Sequence, residues 1–352
     1  MRCPKGAAAG RGEYRRAESH GKPKIAVIGT GRTIASQGLG PLDTQDYGSA
    51  GRPILDAAQL VAGVPALAEV AEVVAVPFAA IPSTAIGWAD WRALLACIAE
   101  VKAAHSGLAG IVVTHGTATL EETAYLLSLT LPDDMPVVLT GAQRPFTAVS
   151  SDGPMNLVAA ARVAGDPQSR GLGVLVVLND EVHAEREVTK TSTARLQTFR
   201  SPDLGALGHV DADRVSYWRR PLRLLPPAGR FDITGIETPP RVDVTYSVAG
   251  GDGVAVRAFR AAGAQGIVSA AFAPGFPSPA EREALAEAAA EGCLVVLSSR
   301  AGSGRTFPTR RYAAQGMLNA DNLNPQKARI LLMLALTRGR DREAAAALFA
   351  RA

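Results

Sequence analysis

The sequence predicts an α/β protein with a large N-terminal domain built on a mostly parallel sheet and a smaller C-terminal α/β domain. Three observations lead there. At 352 residues the chain is too long for one ordinary domain and comfortable for two, each able to bury a core. Short apolar, β-branched runs alternate with helical patterns over about 150 residues, which marks a parallel sheet covered on both faces. From Arg219 to Arg241 there are five prolines and no periodic pattern, after which a second alternation begins. The expected division is a leader at 1–21, an N-terminal domain at 22–218, a linker at 219–241 and a C-terminal domain at 242–352.

In chain order, Lys24–Ile28 reads as the first buried strand and runs into Gly29-Thr-Gly-Arg-Thr33-Ile-Ala-Ser36. The third glycine of a dinucleotide fingerprint is replaced by Ile34, so that reading is rejected. A long Gly/Asp/Ser-rich segment from Gln37 to Arg52 carries one aromatic residue, Tyr47, and reads as a functional flap or a disordered loop. Val70–Val76 is a second strand, ending in a polar turn with Ser83 and Thr84. Trp88–Ala104 has helical periodicity, with Trp91, Leu94, Leu95, Ile98 and Val101 on one face.

The run from Gly110 reads as a buried strand that enters His115-Gly116-Thr117-Ala118 and then a helix, with Thr119 and Glu122 at capping-box spacing. Such a turn places Thr117 at the carboxyl edge of a sheet, where helix-start N–H groups face the ligand crevice. Strand Pro136–Thr140, helix Pro154–Val163 and strand Gly173–Leu178 continue the alternation. Glu181–Thr193 is polar and strand-like, and the region through Trp218 reads as an irregular extension. The second unit reads as strand Val242–Tyr246, helix Val254–Ala262, strand Gly266–Ala271, helix Ala280–Glu291, strand Cys293–Leu297 and helices to the end.

Composition narrows the function classes. Hydrophobic residues at 47% and charged residues at 20% mark a soluble globular chain, and no apolar run approaches membrane-spanning length. The formal charge of +4 is small, and much basic character sits in Arg2, Lys5, Arg11, Arg15, Arg16, Lys22 and Lys24. Without a basic stripe interleaved with aromatics, nucleic acid is not an expected partner. Residues 1–21 lack the apolar core of a secretory signal, so a disordered leader or a misplaced start is expected. Cys3, Cys97 and Cys293 are far apart and odd in number, which points to a reducing compartment, the cytoplasm. No His or Cys spacing implies a metal, and no cofactor is expected.

Six blocks carry a resemblance: Gly29-Thr-Gly-Arg-Thr33-Ile-Ala, Thr114-His-Gly-Thr-Ala-Thr-Leu-Glu-Glu-Thr-Ala-Tyr125, Leu139-Thr-Gly-Ala-Gln-Arg-Pro145, Ser151-Asp-Gly-Pro-Met-Asn156, Val188-Thr-Lys-Thr191 and Leu323-Asn-Pro-Gln-Lys-Ala-Arg329. Together they resemble the bacterial-type L-asparaginases and glutaminases over nearly everything after the leader. The resemblance implies a large and a small α/β domain, a homotetramer of intimate dimers and a small-molecule amide as substrate. It also implies a threonine nucleophile at Thr33 helped by Tyr47, a second threonine at Thr117 with its partner Lys190, and a carboxylate-holding serine at Ser83. A hydroxyl is a poor nucleophile until a nearby base takes its proton, and backbone N–H groups at the Thr117 turn, beside Gly116, would stabilise an oxyanion.

Departures from the family pattern share one electrostatic direction. Ala118 stands where the family has the aspartate that pairs with the substrate's α-ammonium, and Thr84 replaces the usual glutamine. Ala273-Pro-Gly-Phe-Pro277 replaces the loop that usually supplies an asparagine. The stretch Ser298–Arg311 is basic where the family has an acidic contributor, and Arg32 replaces a glycine beside the nucleophile. An ammonium would lie desolvated and unpaired, at a cost of about 1–3 kcal/mol or more. The expected substrate is therefore an amide, imide or ester that lacks the α-amine or carries extra negative charge. The alternatives are a genuine L-asparaginase of reduced efficiency, an inactive ligand-binding homologue, and an amidotransferase subunit.

Overall fold

A computed structural model describes residues 21–49, 51–222 and 230–351. Of the expected leader, only Gly21 falls among them. Strand β1 (Lys24–Gly29) is followed by helices α1 (Ala57–Ala62) and α2 (Leu67–Val70), strand β2 (Glu72–Pro77), helix α3 (Trp88–Ala104) and strand β3 (Leu108–Thr114). Helix α4 (Leu120–Thr130), strand β4 (Val137–Thr140), helix α5 (Gly153–Gly165) and strand β5 (Val174–Leu178) complete the alternation. Five short strands come next: β6 (Glu181–Ala184), β7 (Thr189–Lys190), β8 (Phe199–Arg200), β9 (Gly208–Val210) and β10 (Val215–Tyr217).

Eight of these strands form one sheet in the order β10-β9-β6-β5-β4-β3-β1-β2. Strands β1 to β5 pair in parallel, whereas β6, β9 and β10 continue the edge antiparallel. The parallel part has the 2-1-3-4-5 order of a doubly wound sheet, whose strand order reverses between β1 and β3. A strand buried on both faces reads as a continuous apolar run. In β1, Ile25 and Val27 pack with α5, while Ala26 and Ile28 pack with α3 and α4. The expected irregular extension is thus partly regular: β9 and β10 were missed because strands of three residues are too short to show a period.

The second unit contains β11 (Val242–Tyr246), α6 (Val254–Ala261), β12 (Gly266–Ala271), α7 (Pro279–Ala290) and β13 (Leu294–Ser299). It continues with α8 (Arg310–Ala314), β14 (Met317–Asn319), α9 (Pro325–Leu336) and α10 (Arg342–Phe349). Its sheet has four strands, β11-β12-β13-β14, all parallel. The region expected to be helical throughout therefore includes one strand, β14, which pairs with Val295–Leu297.

One apolar core runs from α3 and α4 to α9, β12 and β13, so the two units are packed against each other. Phe231 and Ile233, from the stretch expected as a linker, are buried in this core. The Phe231 N–H donates to Leu129 O at 2.9 Å, and the Trp88 indole donates to Ile236 O at 2.7 Å. Residues 223–229 of that stretch lie outside the described residues.

Candidate active site

Strands β1 and β3 end level, with Gly29 opposite Thr114, and the Thr30 hydroxyl donates to Thr114 O at 2.8 Å. The chain leaves both strands on the same sheet edge, at the point where the strand order reverses. After β1, a 3-10 turn over Thr33–Ala35 is anchored by buried Ile34 and Ala35 and lifts Thr33 to the edge. The long loop then folds back. It is tied by Gly38 N–H to Thr147 Oγ1 at 2.9 Å and by Val149 N–H to Pro41 O at 2.8 Å, and the Tyr47 hydroxyl reaches 2.9 Å from Thr33 Oγ1.

After β3, Thr117 occupies the strand-to-helix turn and is buried. Lys190 lies 73 residues further along the chain, on the two-stranded ribbon of β7 and β8, and its Nζ donates to Thr117 Oγ1 at 2.8 Å. Burial pushes the Lys190 amine below the usual lysine range, because the desolvated ammonium is disfavoured. The neutral, proton-accepting form is therefore reached at lower pH than for a free lysine.

The turn is braced from behind by His115, which is fully buried. Its Nδ1 lies 2.8 Å from Gly116 O, and its Nε2 lies 3.0 Å from Thr123 Oγ1, which also accepts from the Trp91 indole at 2.9 Å. A carbonyl can only accept, so Nδ1 carries the proton and Nε2 receives the Thr123 hydroxyl. Desolvation lowers the ring to about 4, and His115 is neutral at neutral pH.

Gly116 is required by close approach. A Cβ there would sit 2.5 Å from Ser83 Oγ and 3.0 Å from Arg32 Cγ, so Arg32, Ser83 and the Thr117 turn meet at one corner. The expected capping box does not form. Thr119 instead donates its hydroxyl to Ser83 O at 2.7 Å, fixing the serine loop on the turn, and leaves no side-chain cap on α4. Thr84, beside Ser83, and Ala118, beside Thr117, are both exposed.

Arg32 has φ 77° and ψ −164°, a region populated almost only by glycine, which costs about 1–3 kcal/mol for any other residue. Its side chain is partly buried, and Nε donates to Ile81 O at 2.5 Å. Burial draws the guanidinium below its usual range, and no carboxylate among the described residues acts against that. Ser298 and Ser299 are buried, whereas Arg300 is exposed and lies over the rings of Phe272 and Tyr246.

Residues 24–223 match the family model described as Asparaginase, N-terminal, and residues 241–349 match Glutaminase/Asparaginase C-terminal domain. The chain belongs to the asparaginase family. L-asparaginase 2 of Bacillus subtilis is 39% identical over 321 residues, covering 91% of this chain and 84% of that protein. A probable periplasmic L-asparaginase of Haemophilus influenzae is 39% identical over 322 residues, covering 91% and 90%. Among solved structures, a probable cytoplasmic L-asparaginase from Campylobacter jejuni superposes with a TM-score of 0.88 at 36% identity, covering 94% of this chain and 100% of that one. This chain is an amidohydrolase of the asparaginase family, a hydrolase of carbon–nitrogen bonds in linear amides.

One group at this asparaginase-family site went unassigned in the sequence. Glu121 is buried, and its oxygens accept from Thr189 Oγ1 at 3.1 Å, Lys190 N–H at 3.3 Å, Asn324 Nδ2 at 2.9 Å and Gln326 Nε2 at 3.2 Å. Lys327 Nζ lies 3.8 Å away, fully buried, and donates to Arg186 O at 3.1 Å and also to Val188 O. Burial lowers Lys327 to about 8. Glu121 thus joins α4, β7 and α9. The available signal was an acidic residue inside an otherwise apolar helix face, since such a group is seldom buried without partners.

Among the described residues, no group of three His, Cys, Asp or Glu side chains is arranged to hold a metal, and no helix is long and apolar enough to cross a membrane.

Proposed function

We propose that the protein is a threonine-nucleophile amidohydrolase whose specificity has moved from free L-asparagine to amides lacking the α-ammonium. The observation that supports it best is the pairing of two threonines with proton acceptors at one sheet edge, Thr33 with Tyr47 at 2.9 Å and Thr117 with Lys190 at 2.8 Å, beside an exposed Ala118. Thr33 Oγ attacks the amide carbon, and its proton passes through Tyr47 to the amide nitrogen as the carbon–nitrogen bond breaks. Expulsion of ammonia leaves an ester on Thr33. Water then attacks that ester, giving its proton to Thr117 and Lys190, which return a proton to the Thr33 oxygen as the ester bond breaks, and the carboxylic acid is released with the hydroxyl restored.

Among the described residues, the carboxyls of Glu121, Asp152 and Glu122 are poorly placed to do the work of the one missing at Ala118, because each is engaged or largely uncharged. Glu121 is surrounded by the donors described above. Asp152 accepts from Gln143 N–H at 2.9 Å, Arg144 N–H at 2.9 Å and Asn156 Nδ2 at 3.1 Å. Glu122 is raised by burial to about 7, so much of it is uncharged at neutral pH. The names of the relatives favour L-asparagine itself, and kinetics separate the two readings. Succinamate, which is asparagine without its amine, should be hydrolysed with higher kcat/KM than L-asparagine. Ala118→Asp should shift the ratio toward L-asparagine by about tenfold or more. Thr33→Ala should abolish ammonia release from both. Wild-type turnover of L-asparagine well above that of succinamate would sink the shifted specificity while leaving the hydrolase in place.

The same reading extends to a catalytic N-terminal domain at 22–218, a C-terminal domain at 242–352, a homotetramer and a cytoplasmic location. The free thiols of Cys97 and Cys293 support the last. Analytical ultracentrifugation giving any other stable species would overturn the tetramer.

A further inference from the structure

The groups around Thr33 hold one cation that the proposed reaction does not use. Arg32 occupies a backbone conformation suited to glycine, directly before the nucleophile. Its stem lies against Gly116 at the corner where Ser83 also sits. Only its Nε is engaged, on Ile81 O, two residues before Ser83. Its terminal nitrogens make no hydrogen bond to any described residue, and no described carboxylate pairs with it. A partly buried guanidinium without a counter-ion, held by a strained backbone and a single carbonyl, presents a planar fork of donors that matches a carboxylate.

We propose that Arg32 is a specificity-determining residue: beside Ser83, the carboxylate holder that the family resemblance already implies, it adds a cationic fork of donors and makes that corner a carboxylate clamp, so that the substrate's anionic group is held by charge as well as by a hydroxyl. The ligand class is the monoamide of a dicarboxylic acid, with succinamate as its simplest member. This inference rests on the reading of Thr33 and Thr117 as the reacting pair and names the group by which their substrate is held. Ser83 supplies one hydroxyl donor, and Arg32 supplies the charge and one or two N–H donors. Charge at this point does for an anion what the absent aspartate at position 118 would do for a cation.

The test is calorimetric binding of succinamate to full-length protein in the Thr33→Ala background, where turnover does not interfere. Adding Arg32→Gly removes the side chain and suits the backbone, so misfolding does not cloud the result. Binding should weaken by about tenfold or more, as expected when a charged hydrogen-bond donor is lost. Arg32→Gln should weaken it to a similar degree, and Arg32→Lys less. Binding to the parent should also fall with added salt more steeply than binding to the Arg32→Gly form. The clamp is overturned if Arg32→Gly and Arg32→Gln bind succinamate within about twofold of the parent. It is overturned equally if the parent binds neither succinamate nor L-asparagine at millimolar concentration. Tighter binding of L-asparagine than of succinamate, with both weakened by Arg32→Gly, would support the clamp and overturn the shifted specificity.

Discussion

The two threonines of the site differ in what holds their partners. Thr33 stands on a strained turn, and its partner Tyr47 comes from a loop whose described residues contribute nothing to the apolar core. Thr117 is buried in a strand-to-helix turn, and its partner Lys190 is fixed through Glu121 to α4 and to the C-terminal helix α9. The first pair is local, and its loss is expected to leave stability little changed. The second is tied to the packing of both sheets, so changes to its supports are felt in stability as well as in turnover.

Tyr47→Phe and Lys190→Met give the largest expected effects and sharpen this contrast. Each removes a proton acceptor from its threonine, and each should lower kcat by roughly 10²–10⁴-fold. Tyr47→Phe should leave the unfolding free energy within about 0.5 kcal/mol of wild type, as for a surface change. Lys190→Arg should not rescue Lys190→Met, because a guanidinium does not release its proton in this range. Wild-type kcat should rise with pH through an ionisation below the ordinary lysine value, since burial lowers Lys190. That limb should vanish in Lys190→Met. Persistence of the limb would assign the ionisation to another group.

A second expected effect concerns the brace behind Thr117. His115 has its folded-state value lowered to about 4 from 6.5, so in the window between these values the unfolded chain binds the proton and the folded protein does not. Its contribution to stability is complete above about pH 6.5 and is lost as pH falls toward about 4. At about 1.4 kcal/mol per pH unit the full loss is on the order of 3 kcal/mol. The buried carboxyl of Glu185 and the half-buried one of Glu122, each raised to about 7, act in the opposite direction: their contribution is present at low pH and fades as pH rises from 4.5 to about 7. The informative quantity is therefore a difference. His115→Gln should lose less stability than wild type between pH 6.5 and 4, measured by denaturant unfolding at each pH. Parallel curves would show that the ring is not the group protonated on unfolding.

Local pattern carried most of the first sheet and only part of the site. Trp88–Ala104 is periodic over 17 residues, and α3 has the expected bounds and buried face. Strands β9, β10 and β14 have three residues each and owe their existence to a neighbouring strand already in place. Thr119 and Glu122 had the spacing of a capping box, but a tertiary acceptor, Ser83 O, took the hydroxyl. Thr33, Tyr47, Thr117 and Lys190 came from a family resemblance, since a hydroxyl in a turn is locally indistinguishable from a cap. The role of Glu121 depends on partners 68 to 205 residues away, and no window of sequence around it contains them.

Glu121→Gln gives the smallest of the expected effects and is the most direct way to break the contrast. Each hydrogen-bond or ion-pair partner of the Glu121 carboxylate among the described residues is a donor: the Thr189 hydroxyl, the Lys190 N–H, the Asn324 and Gln326 amides and the Lys327 ammonium. A glutamine of the same size brings its own NH₂ against one of these donors and leaves Lys327 without its nearest charge partner. The expected loss is about 1–3 kcal/mol of unfolding free energy. If Lys190 is held through Glu121, the same substitution should lower kcat by roughly tenfold with little change in KM. It should also move the rising limb of the pH profile assigned to Lys190, which a purely structural contact would leave in place. A variant that loses stability but keeps both kcat and the limb would show that the ribbon of β7 and β8 positions Lys190 unaided, and the second pair would then be as local as the first.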